Sequence, residues 1–148
     1  MNIQSQKLPL TAIVLGYAGI IPFVVLAVCI AAGIDLAELG FTDPVAALTG
    51  YGAVIISFIG AVHWGVALHS AAQKQNILFI YSVLPSLAAW VWLLSSGKTA
   101  LIGMGLTIVA MFFIDRWLLS NIVPQAYLKM RMYLSIIVSA CLFLAALR

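Results

Sequence analysis

Charge is what this chain has least of. Only 7% of its 148 residues are Asp, Glu, Lys or Arg, while 65% are hydrophobic. A water-soluble surface is thereby excluded, because ordinary globular chains devote about a quarter of their residues to charge. The seven basic residues exceed the four acidic ones by three, but they are scattered singly. Without a basic cluster the sequence carries no footprint for nucleic acid or for an anionic lipid patch. Cysteine is nearly absent too. Cys29 and Cys141 both sit in apolar stretches, where a thiol behaves as a small hydrophobe. No HExxH motif, recognised nucleophile arrangement or metal-ligand set occurs, so no cofactor or metal is expected.

Long apolar runs take the place of what is missing. Mean hydropathy is +1.18, and spans of about 20 residues each use up most of the chain once five are counted. The expected fold class is all-α, a single integral membrane bundle of five transmembrane helices whose main partner is the lipid bilayer. The spans are read at about 10–32, 45–71, 77–94, 99–119 and 132–147. Lys7 followed by the run from Leu8 to Ala32 has the outline of a signal peptide. The run is longer than an ordinary signal core and lacks a clear small-x-small cleavage site, and Val28 before Cys29 departs from a lipoprotein box. It is therefore read as a retained first span. Pro22 kinks that span, and Pro85 lies within the third; each frees a carbonyl one turn back, near Ala18 and Tyr81.

Orientation follows from Lys and Arg, which are enriched in cytoplasmic loops. With the N-terminus inside, Lys7, Lys74, Arg116, Lys129 and Arg131 fall on the cytoplasmic side, against Lys98 and Arg148 outside. An N-in, C-out topology is expected. The loop containing Asp35, Glu38 and Asp43 has no basic residue to oppose its translocation.

The second span is the most informative. Thr49, Ala53, Ser57, Ala61 and Gly65 recur every four residues, and small side chains let helices approach closely in lipid. The plain reading is a packing stripe; a ligand groove is the other. His63, between Gly60 and Gly65, falls about 8 Å from the middle of its span, and Asp115 about 9 Å from the middle of the fourth, both displaced toward the cytoplasm. Ionisable groups at such depth usually face the bundle interior or a wet cavity. Tyr17, Tyr81, Ser82 and Ser135 come out at similar depth when the helices are laid antiparallel, and with Arg116 they complete the expected buried polar cluster. A structural His–Asp link between two helices is its bland reading; a proton-linked or ligand-binding site is the functional one. Haem ligation is disfavoured, because His63 and His69 lie six residues apart on one helix, about 120° from facing together.

The stretches Leu15–Phe23, Tyr51–Gly65 and Tyr81–Leu87, with Tyr127–Leu134 near the end, resemble the recurring blocks of a domain-of-unknown-function family. Its members are small multi-pass inner-membrane proteins of proteobacteria, with a mitochondrial transmembrane relative. The block Ser57-Phe58-Ile59-Gly60-Ala61-Val62-His63-Trp64-Gly65 is its most specific part. The resemblance implies a location in the bacterial inner membrane and no particular activity. It suits a task near a respiratory membrane, such as assembly or stability of a complex. Three function classes follow: a non-enzymatic accessory or assembly factor acting through helix contacts with another membrane protein, which is the first expectation; a binder or carrier of a lipophilic small molecule, with its pocket among the first three spans and its polar site around His63; and an intramembrane enzyme using His63 and Asp115.

Overall fold

The computed structural model describes residues 6–37, 40, 42–69 and 72–148, with nothing to be said of the side chains of residues 72–74. Glu38 of the acidic loop, the expected end of the second span at Ala71 and the Lys74 side chain thus lie outside the described residues. The elements are α1 (Leu10–Ala18), α2 (Ile21–Ala32), α3 (Pro44–Leu68), α4 (Ala72–Leu94), α5 (Gly97–Leu119) and α6 (Gln125–Ala146). No strand occurs among the described residues. Taken together, α1 and α2 form one span, and with the other four helices they make five that are long and apolar enough to cross a membrane.

Local chemistry sets the helix ends. Pro22 has no N–H to give to the preceding turn, and the first span breaks at Gly19 and Ile20. The Tyr51 hydroxyl donates to the Gly19 carbonyl at 3.1 Å, so a side chain from α3 satisfies an oxygen at the break. Gly33 closes α2 in the left-handed region (φ 67°), with the Ile34 N–H bonded to the Cys29 carbonyl at 2.9 Å and the Gly33 N–H to that of Ile30 at 3.2 Å. This is a Schellman arrangement, which glycine adopts without a Cβ clash. At the start of α3 the Asp43 carboxylate accepts from the Ala46 N–H at 2.9 Å, and Pro44 occupies the first turn, where its missing donor is harmless.

Helices pack through small residues, because lipid supplies no hydrophobic drive to hold them together. A Cβ on Gly60 would lie 2.8 Å from the Ser82 carbonyl oxygen and 3.3 Å from the Pro85 ring, so α3 meets α4 backbone to backbone. Gly103 of α5 lies under the Trp92 ring, whose indole N–H donates to Thr107 Oγ1 at 3.0 Å. A Cβ on Gly105 would meet the Phe143 ring of α6 at 2.6 Å. The expected stripe at four-residue spacing is only half internal: Thr49 and Ala53 are buried, Ser57 is partly so, and Ala61 and Gly65 are exposed. Four residues turn the helix through about 40° more than a full circle, so the row drifts from the core to the lipid face. The inward face of α3 instead follows Leu48, Gly52, Ile56, Gly60, His63 and Ala67.

Two apolar clusters result. The larger contains Phe23, Leu48, Ile56, Met104, Ile108 and Leu142. The smaller, near the end of the bundle that carries the N-terminus, contains Ala67, Leu78, Leu119 and Leu128. Large exposed apolar side chains occur on every helix, among them Leu10, Ile21, Val54, Ile80, Leu106 and Ile136, as a surface solvated by hydrocarbon requires.

A buried ion triad beside a lipid-facing groove: the candidate functional site

Three spans each place one ionisable side chain in a single layer. His63 stands five residues before the end of α3, Asp115 four before the end of α5, and Arg131 six after the start of α6. At 1.5 Å per residue all three lie about 6–9 Å inside the end of the bundle that carries the N-terminus. Arg131 donates to Asp115 Oδ2 through Nε at 3.0 Å and through Nη2 at 2.7 Å. His63 Nε2 lies 3.1 Å from the other carboxylate oxygen, Oδ1. This second approach has the distance of an ion pair but not the direction of a hydrogen bond, for neither atom has a hydrogen-bond partner. The contact is therefore electrostatic, and the directed bonds of the triad are those of Arg131.

Burial is nearly complete: His63 is 1% exposed, Asp115 0% and Arg131 4%. In apolar surroundings an unpaired charge is expensive, and one carboxylate serving two neighbours removes that cost locally. The His63 ring meets the edge of Tyr81 at 4.6 Å between centroids, 83° from coplanar. The Tyr81 hydroxyl, both His63 ring nitrogens and Ser135 Oγ are buried polar atoms without a hydrogen-bond partner in the protein. Native structures rarely leave such atoms unpaired, so four atoms on three side chains without a partner among the described residues mark this region as unlike the rest of the bundle.

Next to the layer runs a groove of about 420 Å³ between α1, α3 and α6, with Phe23 of α2 and Ile108 of α5 at its inner end. Its walls are apolar, formed by side chains such as Leu15, Ile20, Phe58, Ile59, Val62 and Leu134, and its polar members are Tyr127, Arg131 and Ser135. These three stand on α6 at four-residue spacing, so they line one side in succession. The α1–α6 contact is formed where Gly16 lets Met130 come close, since a Cβ there would be 3.2 Å from the sulfur. On the other side of that contact a second recess of about 380 Å³ is lined by Lys7, Tyr17, Lys129 and Tyr133.

A family model described as "Protein of unknown function (DUF3429)" matches residues 8–147, nearly the whole chain. The chain belongs to the DUF3429 family. This DUF3429 protein is also 37% identical over 89 residues to Transmembrane protein 69 of Xenopus tropicalis, a match covering 58% of this chain and 33% of the relative. The chain thus spans about a third of the length of that curated relative. No solved structure matches it. With five candidate spans and a transmembrane relative, the DUF3429 protein is a multi-pass membrane protein.

Of the residues that the sequence nominated for the polar layer of the DUF3429 protein, the structure brings together His63, Asp115 and Tyr81, while Ser135 lies one turn beyond Arg131 on α6. Ser82 is buried, but its hydroxyl turns back to the Phe79 carbonyl of its own helix at 2.7 Å. Tyr17 is 40% exposed and belongs to the second recess. Arg116 is exposed, and the expectation that it joins the cluster is corrected. It follows Asp115 directly, and consecutive helical residues point about 100° apart, so an inward Asp115 turns Arg116 outward. The cation is Arg131, which the sequence reading left in a connecting segment. No spacing signal in the sequence singles it out, since Arg116 and Ser120 stand four residues apart just as Arg131 and Ser135 do. His69 lies at the end of α3 and reaches the Gly65 carbonyl at 3.0 Å, away from the layer.

Proposed function

We propose that this protein binds a lipophilic small molecule in the groove between α1, α3 and α6, with the polar end of the ligand at Arg131 and Ser135. The observation that carries this reading is the placement of Arg131, ion-paired to Asp115 behind it, in the wall of a largely apolar cavity. Ligand sites typically enclose about 300–1,000 Å³, with mostly apolar walls and a few convergent polar groups; the groove, at about 420 Å³, has that form. The sequence reading put the pocket among the first three spans with His63 at its polar end. The revised reading replaces the third span with the fifth and puts Arg131 at the polar end, with His63 behind it on Asp115.

An accessory role through helix contacts rests on the family resemblance, and large exposed apolar side chains on every helix single out no docking face. As for placement, we read the protein as residing in a bacterial inner membrane with its N-terminus inside. The supports are the exposed Lys7, Arg116 and Lys129 at one end of the bundle, against Lys98 and Arg148 at the other, and the positive-inside rule. Arg131 no longer counts toward it, because Asp115 holds that side chain within the bundle.

The test is native mass spectrometry of the protein released gently from its own membrane, compared with Ala12→Trp. Ala12 is exposed and lines the groove, so an indole there fills the cavity without entering the core. A discrete small molecule on the parent protein, lost in Ala12→Trp at unchanged thermal stability, is the expected result. The same adducts on both proteins, or none on either, would refute the reading.

A further inference from the structure

Of the groove's polar residues, Arg131 can only donate, whereas the hydroxyls of Tyr127 and Ser135 can donate or accept. Arg131 has five N–H bonds and no acceptor, and only Nε and Nη2 are engaged, each giving one bond to Asp115. Ser135, one turn further along α6, is 4% exposed and its hydroxyl has no partner. Both residues line the cavity. A ligand group that meets Arg131 must accept hydrogen bonds.

Charge then selects among acceptors. Among the described residues Arg131 is the only Lys, Arg, Asp or Glu in the lining of the groove, and Asp115 cancels it at 2.7 Å. The Arg131–Asp115 pair has no net charge. An anionic headgroup would therefore enter a low-dielectric site as an uncompensated charge, which is costly at membrane depth. A carbonyl oxygen accepts the same bonds and brings no charge. From these two facts, and resting on the groove being a binding site, we infer that its ligand is an amphiphile with a neutral, carbonyl-bearing headgroup, such as an ester or a quinone, and that Arg131 and Ser135 hold the carbonyl oxygen while the tail lies along the apolar walls.

Three probes with one diazirine-bearing alkyl chain test this: a methyl ester, a benzoquinone and an alkyl phosphate. Each is added at low mole fraction to the full-length protein in phospholipid nanodiscs, irradiated, and the labelled residues mapped. The ester, the quinone or both should label residues 12–23 several-fold more than the phosphate does, and the stronger of the two identifies the source of the carbonyl. Ser135→Ala removes one donor that has no partner in the protein, so thermal stability should stay unchanged while labelling by the preferred probe drops about three- to tenfold, the worth of one hydrogen bond. Phosphate labelling equal to or above that of the neutral probes, or no drop in Ser135→Ala, overturns the headgroup assignment and leaves the groove as a binding site. Failure of all three probes to label the groove above the bulk-lipid level overturns both.

Discussion

Replacing Asp115 and Arg131 singly and together measures what the triad contributes. The reasoning starts from their burial, 0% and 4% exposed, and from two hydrogen bonds of 3.0 and 2.7 Å onto one carboxylate oxygen. Removing one member of a buried ion pair strands the other, at about 3–5 kcal/mol. The two single changes should nevertheless differ. Asp115→Leu leaves a guanidinium that has no uncharged form, and we expect a loss near the upper end of that range, about 4 kcal/mol. Arg131→Met leaves a carboxylate that still has His63 Nε2 at 3.1 Å and can take up a proton, so about 2 kcal/mol is expected, below the full stranding penalty. The double variant strands no charge, and apolar replacements of whole buried pairs are often neutral or stabilising. Its loss should be no more than the about 1 kcal/mol of an average point substitution, since His63 loses only an electrostatic contact. The coupling between the two sites is then at least about 5 kcal/mol, larger than most pairwise terms because each single change leaves a charge in an apolar layer. Equilibrium unfolding in mixed micelles, titrated with SDS and followed by tryptophan fluorescence, gives the three values. Additivity, with the double variant losing about 6 kcal/mol, would show that the triad is solvated and not held as a dry ion pair, and the argument would fail.

Gly60→Ala should destabilise the protein by about 1–3 kcal/mol in the same titration, because its Cβ would stand 2.8 Å from a backbone oxygen of α4. Gly50→Ala, with nothing within 4 Å, should be neutral or stabilising by up to about 1 kcal/mol, and equal behaviour of the two would contradict the close α3–α4 approach. Reporter fusions at the C-terminus should show it outside the cytoplasm; a cytoplasmic C-terminus would reverse the topology.

The spans were legible because lipid imposes a simple condition: every backbone polar group must be satisfied within its own segment, which ties a long apolar run to a helix. The packing of those spans was less so. A four-residue repeat of small side chains looks like a seam, yet on a straight helix it winds away from any fixed partner, and Ala61 and Gly65 end on the outer face. The close contacts fall instead at Gly60, Gly103 and Gly105, each opposite a carbonyl or a ring. Which glycine meets which partner depends on the relative rotation of two helices, and a single sequence with weak amphipathicity does not encode that in its hydropathy.

The site divides along the same line. Depth can be counted from the sequence, and counting put His63 and Asp115 in one layer. Azimuth cannot be counted so simply, and the sequence reading included Arg116 although its position on the helix turns it away from Asp115. Hydropathy also misplaced Arg131, since an apolar window stops at a charged residue, whereas α6 starts at Gln125, just after Pro124, and carries the arginine inside. The deciding consideration was available: Asp115 is the one acidic residue within a span, and a carboxylate there requires a cation from another helix. Arg116 is excluded by its turn away from Asp115, and Arg131, one turn from Ser135 on the same face, supplies the groove wall on which the proposed binding site rests.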